Sequence, residues 1–370
     1  MNSDNSFDIF LVATPGLEDM LLAEVVEKGF ANPTLSPGGI TVQGGWPEVW
    51  RANLELRGAS RVLARIGSFM AFHLAQLDKR ARKFPWGDVL RADVPLRVQV
   101  TTKASKIYHA GAATQRIETA LRESLGATIS PEAALVLKVR IDDNVVTISL
   151  DTSGESLHKR GHKEAVGKAP MRETLASLLL RQAGYSGTET VVDPMCGSGT
   201  FVIEAAEIAM GLNPGRSRSF AFESLASFDP QAWDEMRAKP PQATDLRFYG
   251  SDRDAGAIRM STANAERAGV ADITQFENHA AGEITPPEGR PGLVMVNPPY
   301  GGRIGNKKLL YPLYGTLGQT LLARFKGWRV GLVTSEPPLA KATGLPWKAQ
   351  GPAIAHGGMK VWFYQTPPLR

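Results

Sequence analysis

The sequence predicts an α/β protein in which a mostly parallel, doubly wound sheet follows a smaller α+β region. Three observations support this fold class. Strand-like and helix-like segments alternate after residue 172, as they do in parallel sheets with helical crossovers. Within that region a glycine-rich loop, DPMCGSGT, joins an apolar strand to an apolar helix. The earlier region ends in ALVLKVRIDDNVVTISLDTS, a strand–turn–strand pattern that is typical of antiparallel sheets.

The composition predicts a soluble protein with more than one domain. The chain has 370 residues, of which 43% are hydrophobic and 21% are charged, and this length usually corresponds to two or three domains. No apolar run approaches the roughly 20 residues of a membrane span, and the start MNSDNSFDIF lacks the pattern of a signal peptide. We therefore expect a cytoplasmic location and no membrane partner.

Cysteine and histidine usage argues against a disulfide and against a metal. Cys196 is the one cysteine in the sequence, so no intrachain disulfide can form. The six histidines form no zinc-type cluster with it, and no metal cofactor is predicted. We interpret Cys196 as a small side chain that packs in the glycine loop and not as a nucleophile.

The net charge of +5 is unevenly distributed along the chain. Residues 51–110 hold twelve Lys and Arg against four acids, and residues 301–370 hold ten against one. Two basic regions so far apart in sequence suggest a polyanionic partner. Solvated surface charge explains the same pattern equally well.

Before residue 158 the pattern predicts the short strands and helices of an α+β region. An amphipathic helix is expected over 15–30, and a second helix over 114–126 ends at Gly126. The predicted strands cover 7–13, 38–44, 61–69, 95–102 and the two arms of 134–153, which turn at 142–144. Residues 158–172, HKRGHKEAVGKAPMR, are polar and basic, and we interpret them as a linker.

After this linker, strands and helices alternate as in a doubly wound sheet. The predicted helices cover 172–184, 201–210, 255–269 and 313–325. The predicted strands lie within 188–200, 246–252, 273–278, 292–300, 328–335 and 360–366. Such sheets bind ligands beyond the carboxyl ends of their strands, so the residues that follow the strands are candidates for a site.

The DPMCGSGT loop has the composition of a cofactor-binding loop. Gly197 and Gly199 allow the backbone to approach a ligand and to present amides at the start of a helix. The loop lacks the GK[ST] of a phosphate-binding loop, and Val202 stands where a dinucleotide fold has its third glycine. A compact cofactor without a pyrophosphate fits better.

LRFYGSD ends in Asp252, at the tip of the second predicted strand of this sheet. An acid in that place binds a ribose diol in nucleotide-binding sheets. The alternative is that Asp252 only caps the helix that follows.

The segment LVMVNPPYG is an apolar strand that runs into two prolines. Proline has no backbone N–H to donate to a neighbouring strand, so one explanation is that the strand ends here in a turn. The other is that Asn297 and Tyr300 are held rigidly for chemistry. Two prolines fix φ at successive positions and bias the preceding residue towards extended conformations.

With DPMCGSGT, GSD and NPPY in this order, the chain resembles class I S-adenosylmethionine-dependent methyltransferases that modify exocyclic amines. SKIYHAGAATQRIETAL resembles the signature of the THUMP RNA-binding domain. LHKRGHKEAVGKAPMRETLA and NAERAG, at 264–269, resemble segments of bacterial 23S ribosomal RNA guanine-N2 methyltransferases. The resemblance spans about residues 60–365.

The resemblance implies a division of the chain into domains. It places an N-terminal ferredoxin-like α+β subdomain at 1–60 and a THUMP domain at 61–157. The linker at 158–172 then leads to a Rossmann-like class I methyltransferase domain at 173–370, whose cofactor is S-adenosylmethionine.

The resemblance also implies catalytic roles for Asn297, Pro298 and Tyr300. In this family the asparagine side-chain oxygen and the carbonyl of the following proline accept hydrogen bonds from the amine, which localises the nitrogen lone pair. Tyr300 would offer a flat surface on which an extruded base stacks. Because a sulfonium is an excellent leaving group, no titrating catalytic residue is required.

Two sets of binding residues follow from the same resemblance. The residues expected to bind the cofactor are Arg172, Glu173, Asp193, Pro194, Cys196, Gly197, Ser198, Gly199, Thr200, Asp252, Asn278 and Asn297. The residues expected to contact RNA are Lys103, Lys106, His109, Arg116, Lys159, Arg160, Arg303, Lys307 and Lys308. His158 and His162 are expected to face phosphate or solvent.

The predicted activity is methylation of the exocyclic N2 amine of a guanosine in RNA, with 23S ribosomal RNA as the leading substrate. Transfer RNA is the nearest alternative, because related THUMP proteins modify it. A different class of function is a non-catalytic RNA-binding factor for ribosome assembly. Binding of S-adenosylmethionine would distinguish the enzyme from that factor.

Overall fold

The computed structural model describes residues 6–164, 171–300 and 309–370, and the chain divides into two compact units. The first unit holds the described residues within 1–13, 21–157 and 218–238. The second unit holds those within 14–20, 158–217 and 239–370. Across the described ranges no helix is both long and apolar enough to cross a bilayer.

The first unit is built on one mixed sheet. Its strands are β1 (Phe7–Val12), β2 (Ala31–Ser36), β3 (Gly39–Gly44), β4 (Arg61–Met70), β5 (Leu96–Lys103), β6 (Leu135–Asp142) and β7 (Val145–Asp151). They lie in the order β2-β3-β1-β4-β7-β6-β5, in which β5 and β6 are parallel and the other neighbours antiparallel. Because β4 pairs with both β1 and β7, one continuous sheet joins the predicted ferredoxin-like and THUMP segments.

Helices cover this sheet, and local sequence explains several of their ends. The helices of this part of the chain are α1 (Glu18–Glu27), α2 (Trp46–Glu55), α3 (Leu74–Arg82) and α4 (Ala110–Leu125). Gly126 ends α4 in the left-handed conformation, as predicted. The predicted turn between β6 and β7 is also confirmed, because Asp143 and Asn144 have positive φ values of 49° and 62°. β2, α2 and α3 were not predicted from the pattern.

An insertion from the later part of the chain completes the core of the first unit. Residues 218–238, which include helix α7 (Pro230–Arg237), belong to the first unit although the predicted methyltransferase domain of 173–370 contains them. Phe222 lies 5.0 Å from Trp233 and 6.1 Å from Trp50 between ring centroids. Burial of these large aromatic faces explains why the insertion packs here.

The second unit contains the predicted doubly wound sheet. Its strands are β8 (Val191–Asp193), β9 (Phe248–Ser251), β10 (Thr274–Glu277), β11 (Leu293–Val296), β12 (Arg329–Thr334), β13 (Ile354–His356) and β14 (Met359–Gln365). The order is β10-β9-β8-β11-β12-β14-β13. The first five strands are parallel, and β14 is antiparallel to both neighbours. The helices are α5 (Glu173–Gln182), α6 (Thr200–Ala209), α8 (Ala255–Ala268), α9 (Leu310–Arg324) and α10 (Pro337–Ala342).

The strand order determines where a ligand can bind. β8 lies between β9 and β11, so the chain reverses its direction of winding at β8. The residues of β8 and β11 are buried, as expected for strands covered on both faces. A crevice therefore opens at the carboxyl ends of these three strands.

Candidate active site

A cavity of about 880 Å³ lies at the carboxyl ends of β8, β9 and β11. Eight of the residues predicted to bind the cofactor line it, and they are Asp193, Pro194, Cys196, Gly197, Ser198, Thr200, Asp252 and Asn297. Lining residues that the sequence did not predict include Met171, Met195, Phe201, Ala281, Pro299, Leu309, Pro312 and Leu313. The cavity therefore combines a polar edge formed by strand ends with a largely apolar wall.

The two glycines of the loop between β8 and α6 have different functions. Both have positive φ, 53° at Gly197 and 82° at Gly199. A Cβ at Gly199 would lie 2.9 Å from the Cβ of Ser261, so that position is closed by packing. A Cβ at Gly197 would meet no atom within 4 Å. Gly197 thus leaves space for a ligand, whereas Gly199 lets the loop pack on α8 and does not line the cavity.

Asp252 accepts hydrogen bonds from two backbone amides, one in the glycine loop and one just before α8. Gly197 N donates to Oδ2 and Asp254 N donates to Oδ1, both at 3.0 Å. Asp254 caps α8, because its side chain accepts from Gly256 N. The alternative interpretation of Asp252 as the cap of that helix is therefore wrong. Asn278 donates to the backbone carbonyl of Asp252 at 2.8 Å and does not line the cavity.

Asp193 is a buried carboxyl at the polar edge of the cavity. It is 3% exposed, and burial raises its pKa to about 8, with the nearby Asp252 carboxylate acting in the same direction. Met195 N donates to Oδ1 at 3.0 Å, which opposes the shift. Burial also raises the pKa of the Cys196 thiol well above its usual range. A neutral thiol is a poor nucleophile, in agreement with the packing role expected for Cys196.

Asn264 of the NAERAG segment is hydrogen-bonded to the backbone of the glycine loop. The residue is fully buried, and its Nδ2 donates to the backbone carbonyl of Ser198 at 3.0 Å. Arg267 donates to Asn264 Oδ1 and, at 2.8 Å, to the carbonyl of His162. Sequence reasoning noted this motif but assigned no role to Asn264. An asparagine on the buried face of an amphipathic helix was the available signal.

Lys163 is a second residue that sequence reasoning missed. Its ammonium donates to the Met171 carbonyl at 2.8 Å and to Thr200 Oγ1 at 2.9 Å, and it lies 3.2 Å from Glu173 Oε1. Burial raises the pKa of Glu173, and the charge of Lys163 opposes that shift. Glu173 is thus engaged by Lys163 and does not line the cavity, and its predicted contact with the cofactor stays a prediction. Arg172 is exposed and does not line the cavity either.

The NPPY segment forms the corner between β11 and the cavity. Asn297 and Pro299 line the cavity. The side-chain Oδ1 of Asn297 is buried and has no hydrogen-bond partner among the residues that the structure describes. The hydroxyl of Tyr314, on α9, donates to the Pro299 carbonyl at 3.3 Å and lies 3.4 Å from Thr334 Oγ1. The corner thus places a residue with a buried, unpaired acceptor in the wall of the cavity.

The structure does not support the stacking role predicted for Tyr300. Its side chain is fully buried and does not line the cavity, so neither ring face is open to a base in this conformation. Pro298 is also buried and absent from the lining. The corner therefore turns its asparagine and its second proline to the cavity and packs its tyrosine inside.

The expected RNA contact of Arg160 is contradicted by its burial. Arg160 is 1% exposed, and its guanidinium lies 3.2 Å from Glu204 of α6. His162 is also buried, with Nε2 3.6 Å from Glu207. It was expected to face phosphate or solvent, and that expectation is wrong. Burial lowers the pKa of half-buried His158 to about 4. In this segment Lys159 stays exposed, as an RNA contact requires.

The other predicted RNA contacts lie in two places. Lys103, Lys106, His109 and Arg116 are exposed on the first unit. His109 also caps α4, since its Nδ1 accepts from Ala112 N at 2.9 Å. Arg303, Lys307 and Lys308 lie outside the described residues.

Comparison with known proteins shows the family to which the chain belongs. A family model for the RMKL-like methyltransferase domain matches residues 160–352, and one for the RlmL ferredoxin-like domain matches residues 8–63. A ribosomal RNA large subunit methyltransferase K/L of Chromohalobacter salexigens is 32% identical over 91% of this chain and 49% of its own length. A putative RNA methyltransferase of Synechocystis is 30% identical over 95% of this chain and 94% of its own.

A solved structure shows the same fold. SMU.472, a putative methyltransferase crystallised with SAH, superposes with a TM-score of 0.86 and 25% identity and covers 99% of both chains. The chain spans about half the length of the curated K/L relatives that it matches. The match confirms the predicted fold class and the predicted cofactor class, S-adenosylmethionine. The chain belongs to the family of RMKL-like methyltransferases.

Proposed function

We propose that this protein transfers a methyl group from S-adenosylmethionine to the exocyclic N2 amine of a guanosine in RNA, with large-subunit ribosomal RNA as its substrate. The observation that carries the proposal is the buried Oδ1 of Asn297, a residue of the cavity wall at the NPPY corner, because this oxygen has no hydrogen-bond partner among the described residues. A buried acceptor without a donor costs about 1–3 kcal/mol. A ligand that brings an N–H group to this point would recover that free energy.

An amine attached to a nucleobase matches this acceptor. Its lone pair is delocalised into the ring, which makes the nitrogen a weak nucleophile. Asn297 Oδ1 accepts a hydrogen bond from one amine hydrogen, which helps to localise the lone pair on nitrogen. The second acceptor predicted for this step, the Pro298 carbonyl, stays a prediction, because Pro298 is buried and does not line the cavity. In this proposal Asn297 acts through hydrogen bonding, and its side chain does not titrate.

The fixed position of the corner contributes to the rate. Two prolines limit the backbone, and Tyr314 anchors the carbonyl of Pro299 from α9. Orienting two reactants in this way lowers a barrier by about 7–11 kcal/mol in the best cases. Tyr300 supports the corner from inside the protein, in place of the stacking role expected of it.

The other edge of the cavity fits the cofactor. When bound, S-adenosylmethionine supplies an electrophilic methyl group on a positively charged sulfur. The Asp252 carboxylate lies beside the open space at Gly197, where a positively charged, ribose-containing molecule is complementary to it. Leu309 and Leu313 provide an apolar wall for the flat adenine.

The choice of RNA rests on the exposed cations of the first unit and on the relatives named as large-subunit ribosomal RNA methyltransferases. Mass mapping of nucleosides from a deletion strain tests it. We expect N2-methylguanosine to be missing at one site of 23S ribosomal RNA and to return with a plasmid copy. Loss from transfer RNA alone would show that the substrate is wrong.

Calorimetry separates the enzyme from a non-catalytic assembly factor. We expect the purified protein to bind S-adenosylmethionine and its demethylated product. Gly197→Val should abolish that binding, because a side chain would occupy the space at the loop. No detectable binding by the wild-type protein would favour the assembly factor.

A further inference from the structure

One end of the first sheet carries an unusual set of exposed side chains, which we name the rim. The rim consists of Met70, Phe72, Lys103, Lys106, Tyr108 and Val145. Tyr108 is 83% exposed, and Phe72, Met70 and Val145 are each close to 40%. Single exposed apolar residues are common, whereas a group of them marks a binding surface. Met70 and Val145 are register partners in the sheet, so the group is contiguous there.

Asn144 ties the segments of the rim together. Its backbone carbonyl accepts from Ala71 N at 2.9 Å, and its side-chain oxygen accepts from Lys106 N at 2.8 Å. The backbone N–H of Asn144 donates to Ser105 Oγ at 3.0 Å. Asparagine tolerates the φ of 62° that this position requires. The loop that presents Tyr108 is therefore held in place, although the tyrosine ring itself lies open to solvent.

The chemistry of the rim is that of a surface that binds single-stranded nucleic acid. The Lys106 ammonium lies 5.3 Å from the centroid of the Phe72 ring, and Lys103 is exposed at the end of β5, opposite Asp142 in the register of the sheet. Lys103 and Val145 also line one end of a groove of about 830 Å³ on the open face of the sheet. Hydroxyl and amide groups such as those of Gln99 and Thr101 line the groove further on. An aromatic face beside cations and a polar groove suits an unpaired base and its phosphates.

We propose that the rim binds a single-stranded segment of the RNA substrate, with one base stacked on Tyr108 and the adjoining phosphates at Lys103 and Lys106. The proposed RNA binding by the rim rests on the proposed function, because it takes RNA as the substrate. It adds a base-stacking site at Tyr108, which the distribution of charge does not predict. Single strands are favoured over duplexes because paired bases do not expose their faces to a side chain. The cations favour RNA over an apolar protein partner.

Fluorescence anisotropy with a labelled single-stranded oligoribonucleotide tests the proposal on the full chain. We expect Tyr108→Ala to raise the Kd about tenfold or more and Tyr108→Phe to restore it, because stacking needs the ring and not the hydroxyl. The salt dependence of the Kd should not change in either variant, since no phosphate contact is lost. Val26→Ala, at another exposed apolar residue of the same unit, is the control and should bind normally.

A duplex of the same sequence completes the test. We expect Tyr108→Ala to leave duplex binding within about twofold of wild type. Equal losses for single strand and duplex, or an unchanged Kd for the single strand, would overturn the proposal, as would a wild-type protein that binds no single strand. Because the assay contains no cofactor, it is independent of the proposed chemistry. A protein that binds RNA through Tyr108 but methylates none would contradict the proposed function alone.

Discussion

Two short basic segments, KASKIYH at 103–109 and LHKRGHK at 157–163, have similar compositions and opposite surroundings. In the first, Lys103, Lys106 and Tyr108 extend into solvent. In the second, Arg160 and His162 are buried against glutamates of α6. The second segment is buried because α6 places the carboxylates of Glu204 and Glu207 against its basic side chains. Basic residues thus mark a nucleic-acid surface only where the fold leaves them exposed, and otherwise they can fasten a linker to a domain.

The variant expected to have the largest effect on stability is Arg160→Ala. It leaves Glu204 buried without the guanidinium 3.2 Å away, and breaking such a pair destabilises a protein by about 3–5 kcal/mol. Urea unfolding measures the change. Lys106→Ala, in the exposed segment, is the matched control and should change stability by less than about 0.5 kcal/mol. Equal losses of unfolding free energy in the two variants would show that the buried and the exposed segment do not differ in their contribution to stability.

Lys163→Met should have the next largest effect. It removes the partner of Glu173 and the donor to the Met171 carbonyl, with an expected loss of about 1–3 kcal/mol. Because Met171 lines the cavity, cofactor affinity measured by calorimetry should fall too. Adding Glu173→Gln should recover part of the stability, since no buried charge is then left alone. Full affinity and stability in the single variant would show that Lys163 has no positioning role.

The pH dependence of stability distinguishes the two segments further. Burial, aided by the charge of Arg172, lowers the pKa of His158 to about 4, whereas a histidine in an unfolded chain titrates near 6.5. As the pH falls the unfolded state binds this proton first, so stability is lost from about pH 6.5 towards pH 4. His158→Gln should reduce that loss in urea unfolding series. An unchanged pH profile would mean that His158 does not contribute, and its partial exposure keeps the expected effect modest.

The smallest effect on stability is expected for Lys103→Ala in the exposed segment. Its consequence should appear in RNA binding, where loss of one phosphate contact lowers the slope of log Kd against log salt by about 0.7 for a single strand. Anisotropy titrations at several salt concentrations measure this slope. Lys326→Ala, an exposed lysine of the second unit, is the control. Equal slopes for Lys103→Ala and wild type would exclude a phosphate contact there.

The features that could be predicted from the sequence are those that depend on residues close together in the chain. The alternation of strands and helices, the loop at Gly197 and the corner at Asn297 lie where the pattern placed them, because each depends on neighbouring residues. Arg160 and Tyr300 differ from expectation because burial depends on distant elements, such as the α6 glutamate that meets Arg160. The packing of residues 218–238 in the first unit depends on distant elements in the same way, since its aromatic partners include Trp50.

Single-turnover methyl transfer by Asn297→Ala, measured beside cofactor binding, tests the central claim most directly. We expect transfer to RNA to fall at least about a thousandfold, while calorimetry shows S-adenosylmethionine affinity close to that of wild type. Asn297→Asp keeps an acceptor at the same place and should retain part of the activity. Full methyl transfer by Asn297→Ala would contradict the account, because the buried acceptor would then have no part in the reaction.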